Sequence, residues 1–164
     1  LIDRCISILK KDGILAVPTD TIYGLAALVN SEIGVRRIYE IKGRLFTKPL
    51  AISVGNIDDL YIWSKPTLTK QQLSTGDLLP GPVTLMFERK PLLPSYFNPN
   101  INNIAIRIPT DPFIIELARR LQEPIALTSA NRSNVSSSIS IEEFKEFRRE
   151  KSIIKKIKFK ADSI

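Results

Sequence analysis

Hydrophobic and polar positions change period repeatedly along this chain. Residues 1–11 place Ile2, Cys5, Ile6 and Leu9 on one face of a helix. Gly13 breaks that pattern, and Ile14-Leu15-Ala16-Val17 is an apolar run of strand length. Pro18 to Thr21 reads as a turn or loop, and Gly24 to Val29 as a second strand. Ser31 is a helix cap, Val35, Ile38 and Tyr39 form the apolar face behind it, and Gly43 ends the helix. Pro49 to Val54 predicts a strand, Asn56 caps a short helical segment, and a polar helix runs from about Thr67 to Leu79. Pro80-Gly81-Pro82 interrupts the chain. Val83 to Phe87 and Ile104 to Ile108 then predict strands on either side of a Pro- and Asn-rich surface loop, Pro91 to Asn103.

Asp111 as N-cap and Pro112 in the first turn open a helix with Ile114, Leu117, Ala118 and Leu121 on one face. Pro124 stops it, and Ile125-Ala126-Leu127 is a strand leading into Thr128-Ser129-Ala130-Asn131. A polar loop from Ser133 to Ser138 follows. Ser140 and Glu143 then form a capping-box pattern opening a last helix with Phe144 and Phe147. Ser152 to Phe159 reads as a lysine-studded strand or a loose basic tail. Apolar runs alternating with helical periods, without internal repeats, predict a single α/β (α+β) domain.

Composition narrows the chemistry. A chain of 164 residues, 43% hydrophobic and 25% charged, buries a substantial core. No apolar run approaches the roughly 20 residues that span a bilayer. The chain has no histidine, which excludes a Ser-His-Asp triad, a Cys-His pair, imidazole zinc ligands and histidine acid–base catalysis. One cysteine, Cys5, excludes internal disulfides and CxxC redox motifs. The net charge is +7, and residues 141–164, with 8 basic and 5 acidic side chains, hold a large share of it. A basic tail suits either solvated surface or nucleic-acid contact.

Four polar clusters stand where strands or helices end, the places at which α/β proteins bind ligands. Pro18-Thr19-Asp20-Thr21-Ile22-Tyr23-Gly24 offers three hydroxyls and a carboxylate, suited to a small polar ligand or to turn chemistry. Lys42, Arg44 and Lys48 surround the glycine at a helix end, suited to an anion or to the helix dipole. The spacing is not that of a Walker A loop. Leu79-Pro80-Gly81-Pro82-Val83-Thr84 is a rigid bend that allows close backbone approach. Arg107 closes an apolar strand and needs a carboxylate or an anionic ligand, while Ser129 and Asn131 alternate in an extended segment after another strand.

In order and content these clusters resemble the YrdC-like family, the L-threonylcarbamoyladenylate synthases. The matching segments are Pro18 to Leu25, Ile38 to Arg44, Lys48-Pro49-Leu50, Leu79 to Thr84, Ile106 to Pro109 and Leu127 to Asn131. The likeness covers roughly residues 13–147, and Lys42-Gly43-Arg44 and Leu79 to Thr84 are worded like eukaryotic members. It implies a twisted mixed sheet flanked by helices, with a basic concave face, in a domain spanning residues 1–147. It also implies formation of threonylcarbamoyl-AMP and pyrophosphate from L-threonine, bicarbonate or CO2, and ATP with Mg²⁺. A separate complex then transfers the threonylcarbamoyl group to tRNA.

By the same resemblance, Lys42, Arg44, Ser129 and Asn131 form the catalytic tetrad. Lys48 and Thr128 join them at the ATP phosphates, and Thr21, Tyr23, Thr84 and Arg107 face L-threonine. No metal ligand is assigned, because Mg²⁺ arrives on ATP. Residues 148–164 form a basic C-terminal segment without the glycine-containing turn of the family, which implies a truncated or variant nucleotide lid. The chain starts at Leu1 and its one methionine is Met86, so an upstream segment is expected to be missing and both cytoplasmic and mitochondrial locations stay open. The competing readings are a module contacting double-stranded RNA or tRNA, an inactive ATP-binding relative, and a carbamoyl-transfer domain of the hydrogenase-maturation type.

Overall fold

Two continuous apolar runs become the strands β1 (Ile14–Val17) and β2 (Gly24–Leu28), each buried along its whole length. In the computed structural model, which describes residues 1–43, 45–75, 78–130 and 154–155, they pair antiparallel near one edge of a mixed sheet. The other strands are β3 (Ala51–Ser53), β4 (Ser64–Lys65), β5 (Leu85–Arg89), β6 (Asn103–Arg107), β7 (Ile125–Ser129) and β8 (Ile154–Lys155). Their order is β4-β5-β6-β3-β7-β2-β1-β8. β3–β6 and β1–β8 are parallel pairs and the rest are antiparallel.

Two of the helices begin where the sequence supplies acceptors for their first amides. In α2 (Glu32–Lys42), the Ser31 hydroxyl accepts from the Gly34 amide at 2.8 Å, and Gly43 closes the helix in the left-handed region at φ 56°. In α5 (Pro112–Leu121), the Asp111 carboxylate accepts from the Phe113 and Ile114 amides. α3 (Ile57–Trp63) starts at Asn56, whose amide donates to Asp59 at 2.9 Å. α1 (Ile2–Leu9) agrees with the predicted amphipathic helix. α4 (Lys70–Thr75) is much shorter than the predicted polar helix. The two-residue β4 was not anticipated, and β5 begins two residues later than the apolar pattern suggested.

Helices cover the two faces unequally. On one face α2, α3 and α4 pack Val35, Ile38, Leu60 and Leu73 over Ile14, Leu25, Ile52, Ile104 and Ala126. On the other, α1 and α5 pack Cys5, Leu9, Leu117 and Leu121 over Leu15, Val17, Ala26 and Leu28, and over Ile125 and Leu127. That second layer lies over β1, β2 and β7. Towards β6 and β5 burial therefore alternates along the strand, and Ala105 and Met86 stand on the uncovered side.

The segment 91–102 is the loop its composition predicted, but part of it is packed into the core. Leu93, Phe97 and Asn98 are buried. The Arg89 guanidinium donates to the carbonyls of Leu93, Pro94, Phe97 and Asn98, wrapping the segment around one charge. Asn98 then pairs with Leu50 like one rung of a sheet, accepting from its amide at 2.9 Å and donating to its carbonyl at 2.8 Å. Burial without a counter-charge pushes the Arg89 pKa down.

The predicted last helix around Phe144 and Phe147 lies outside the described residues, as does the boundary expected at 147–148. Within the basic end, Ile154–Lys155 pairs with β1 as a strand. Among the described residues, no helix is long and apolar enough to cross a membrane.

Two outcomes are expected. Asn98→Ala strands the Leu50 amide and carbonyl, and its cost is about 2–4 kcal/mol in urea unfolding with an unchanged denaturant slope. Burial raises the pKa of the Cys5 thiol and of the Tyr96 phenol, the latter aided by the charges of Glu32 and Asp12. The folded chain holds both protons more tightly than the unfolded one, so this stabilisation is complete at neutral pH and is lost as pH rises above about 9. Thermal melts across that range test it, and an unchanged melting temperature contradicts it.

Candidate active site

At the open end of the sheet, Gly24, Ala51 and the last residues of β7 leave a cavity of about 290 Å³. This lies near the lower limit of ligand sites, about 300–1,000 Å³. Small residues explain the space. A Cβ on Gly24 would stand 2.7 Å from the tip of the Leu127 side chain, so the absent side chain lets Leu127 lie close against β2. Ala51 lies opposite Leu127 in the antiparallel β3–β7 pair.

Six of the predicted site residues line this one cavity: Thr21 and Tyr23 from the β1–β2 loop, Thr84 before β5, Arg107 at the end of β6, and Thr128 and Ser129 of β7. Thr19, missing from the sequence-derived set, also lines it, and its hydroxyl donates to the Ile22 carbonyl at 2.6 Å, shaping the turn that presents Thr21. Pro49, part of the family-like segment Lys48-Pro49-Leu50 but given no site role there, supplies part of the wall.

Lys42 approaches from the other layer. It ends α2 and is only 3% exposed. Its ammonium donates to the Ser129 carbonyl and stands 3.5 Å from the Ser129 hydroxyl. A buried lysine so held places fixed positive charge at the end of β7. The structure therefore joins two of the four tetrad positions. Arg44 and Asn131 lie outside the described residues. The Lys48 side chain is exposed and does not line the cavity, although its carbonyl accepts from the Tyr39 hydroxyl at 3.0 Å.

Arg107 has the carboxylate partner that its position demanded. Its Nη2 donates to Asp20 Oδ1 and lies 3.3 Å from the Thr21 hydroxyl. Asp20 Oδ2 accepts from the Thr110 amide at 3.1 Å and from its hydroxyl at 3.2 Å. Two buried polar atoms nearby, Arg107 Nε and Ser53 Oγ, have no partner among the described residues. They belong to paired positions of β3 and β6. Ser53 escaped the sequence reading because it sits inside an apolar strand, and the pairing of Asp20 with Arg107 because it spans 87 positions.

A second depression, about 360 Å³, is bounded by Gly55, Asn56, Asp58, Pro80 and Arg119. It is larger but contains none of the predicted site residues, so volume alone does not identify the site.

The Sua5/YciO/YrdC family pattern, described as telomere recombination, matches residues 7–157. The chain belongs to this family. The Sua5/YciO/YrdC member named threonylcarbamoyl-AMP synthase in Mus musculus is 42% identical over 138 residues, covering 84% of this chain and 49% of the relative. The Homo sapiens protein of the same name gives the same figures. The chain thus spans about half the length of these curated relatives. Among solved structures, Pyrococcus abyssi Sua5 complexed with L-threonine superposes with a TM-score of 0.83 at 28% identity, covering 93% of this chain and 45% of that one. The family match extends past residue 147, through the described strand β8.

The unpartnered Ser53 hydroxyl makes its own prediction. Removing a buried hydroxyl that bonds nothing costs no hydrogen bond. Ser53→Ala should leave the denaturation midpoint equal to or above wild type. A loss exceeding about 1 kcal/mol would show that the hydroxyl has a partner in the folded protein.

Proposed function

We propose that this chain carries L-threonylcarbamoyladenylate synthase activity, making threonylcarbamoyl-AMP for tRNA modification. One observation carries the reading: Thr21, Tyr23, Thr84 and Arg107 share a cavity with Ser129, and Ser129 is held by buried Lys42. Hydroxyls and a guanidinium in a small cavity suit an amino acid, and a fixed ammonium at its edge suits phosphate. The printed name of the mammalian relatives and the threonine bound in Pyrococcus abyssi Sua5 support the same reading.

The reaction divides into two balanced steps. The threonine amine and bicarbonate condense to a carbamate with loss of water. A carbamate oxygen then attacks the α-phosphorus of ATP, forming the mixed anhydride and breaking the bond to pyrophosphate. This chemistry demands alignment and charge neutralisation more than covalent help from the protein. Arg107 holds the amino-acid carboxylate, with Thr21, Tyr23 and Thr84 around it. Lys42 stabilises charge on the reacting phosphate, with Ser129 and Thr128 orienting the nucleotide. Arg44, Lys48 and Asn131 complete the phosphate contacts in this proposal.

The donor set at the cavity consists of hydroxyls and cations, beside an Asp20 carboxylate already engaged on both oxygens. That set fits Mg²⁺ brought in on ATP phosphates better than an ion held by a protein cage. The ion supplies charge neutralisation; the chain supplies the alignment. The product passes to a transfer complex acting on tRNA.

The test is direct. The purified chain with ATP, Mg²⁺, bicarbonate and L-threonine should yield threonylcarbamoyl-AMP by mass spectrometry, and none without threonine. Lys42→Met, which keeps the buried stem but removes the charge, should reduce pyrophosphate release by about a hundredfold or more. Wild-type turnover in that variant would remove Lys42 from the reaction.

A further inference from the structure

We infer that Asp20 is a positioning residue: through Arg107 it sets the orientation in which the cavity receives the carboxylate of its ligand. The inference rests on the amino-acid reading of the cavity proposed above and adds a residue which that reading does not use.

Asp20 is a junction between the β1–β2 loop and the segment joining β6 to α5. It sits between β1 and β2, with its side chain 9% exposed. One oxygen accepts from Arg107 at the end of β6, and the other accepts from the amide and hydroxyl of Thr110, just before α5. A carboxylate engaged on both oxygens has little rotational freedom, so it fixes the Arg107 nitrogen it holds.

The remaining geometry shows what that anchoring achieves. Asp20 engages Nη2 and leaves Nε buried without an acceptor among the described residues. Arg107 lines the cavity, so an anionic oxygen entering there can meet the guanidinium that Asp20 holds. Asp20 also balances the Arg107 charge. The cavity thus does not present an isolated buried cation, and the guanidinium is already oriented for an incoming anion.

Asp20→Asn keeps the shape of this side chain and breaks its logic. An amide has one oxygen and one NH2, whereas Asp20 faces the donating Arg107 Nη2 on one side and the Thr110 amide on the other. Either orientation sets donor against donor. The expected result is an L-threonine affinity lower by about tenfold or more, the scale of one charge-assisted hydrogen bond, with ATP affinity within about twofold of wild type.

The experiment combines calorimetric binding with NMR of the arginine Nε–H groups in the full chain. In wild type, Arg107 Nε–H should behave as an ordered group; in Asp20→Asn it should become mobile. Asp20→Glu should restore part of that order. The Asp20→Asn effect on L-threonine affinity should vanish in an Arg107→Ala background, because the first residue acts through the second. Should Asp20→Asn fail to fold, Thr110→Val removes one anchor from Asp20 Oδ2 and should loosen Arg107 to a lesser degree. An Arg107 signal unchanged in both Asp20→Asn and Thr110→Val, or additive losses in the double variant, would overturn the inference. A wild-type chain that orders Arg107 through Asp20 yet binds no L-threonine would sink the amino-acid reading and leave the positioning role standing.

Discussion

Strand β7 is bonded along both edges, to β2 on one side and β3 on the other, and the site depends on that double pairing. The register sets Ser129 beside Gly24 and Leu127 beside both Ala26 and Ala51. Once it is fixed, the Thr128-Ser129 pair can lie only at the open end of the sheet, where α2 delivers Lys42. A slip of one residue would turn Ser129 and Leu127 to the opposite face and bury polar groups in the α2 layer. Leu25, Ala27 and Ala126, all buried against that layer, oppose such a slip.

The unequal helix coverage then separates stability from chemistry within one sheet. β1 and β2 are buried on both faces, and their sequences are unbroken apolar runs. β5 and β6 are buried on one face and alternate. The cavity forms where coverage changes over. There the loop carrying Asp20 and Thr21 meets the end of β6, and the meeting is made by an ion pair and two hydrogen bonds to Thr110 in place of apolar packing. Polar junctions of this kind depend on direction, which suits a place where donors must be aimed.

Much of this frame was legible because its signals are local. Ser31, Gly43, Asp111 and Pro112 mark helix ends through bonds made within a few residues of themselves. The runs 14–17, 24–29 and 125–127 are apolar enough to read as strands without neighbours, and the last continues in the structure to Ser129. The buried part of the loop 91–102 escaped notice because its Pro and Asn content suggests solvent, while that burial comes from the distant Leu50 and from Arg89, a residue whose role shows only when four carbonyls converge on it. Resemblance to a family supplied the site residues, and the structure gathers six of them and joins Lys42 to Ser129. It added the pairing of Asp20 with Arg107, and it added Ser53. The first is invisible to any local pattern, and the second is hidden by apolar neighbours.

The floor of the cavity is made by omission: a missing side chain at Gly24 and a single methyl at Ala51. The groups that grip a ligand stand instead on the loop after β1 and at the strand ends. Capacity and affinity are therefore written at different addresses in the sequence. A lineage could shrink the chamber by enlarging Ala51 while every gripping residue stayed as it was, so relatives with the same polar signature need not accept the same size of guest.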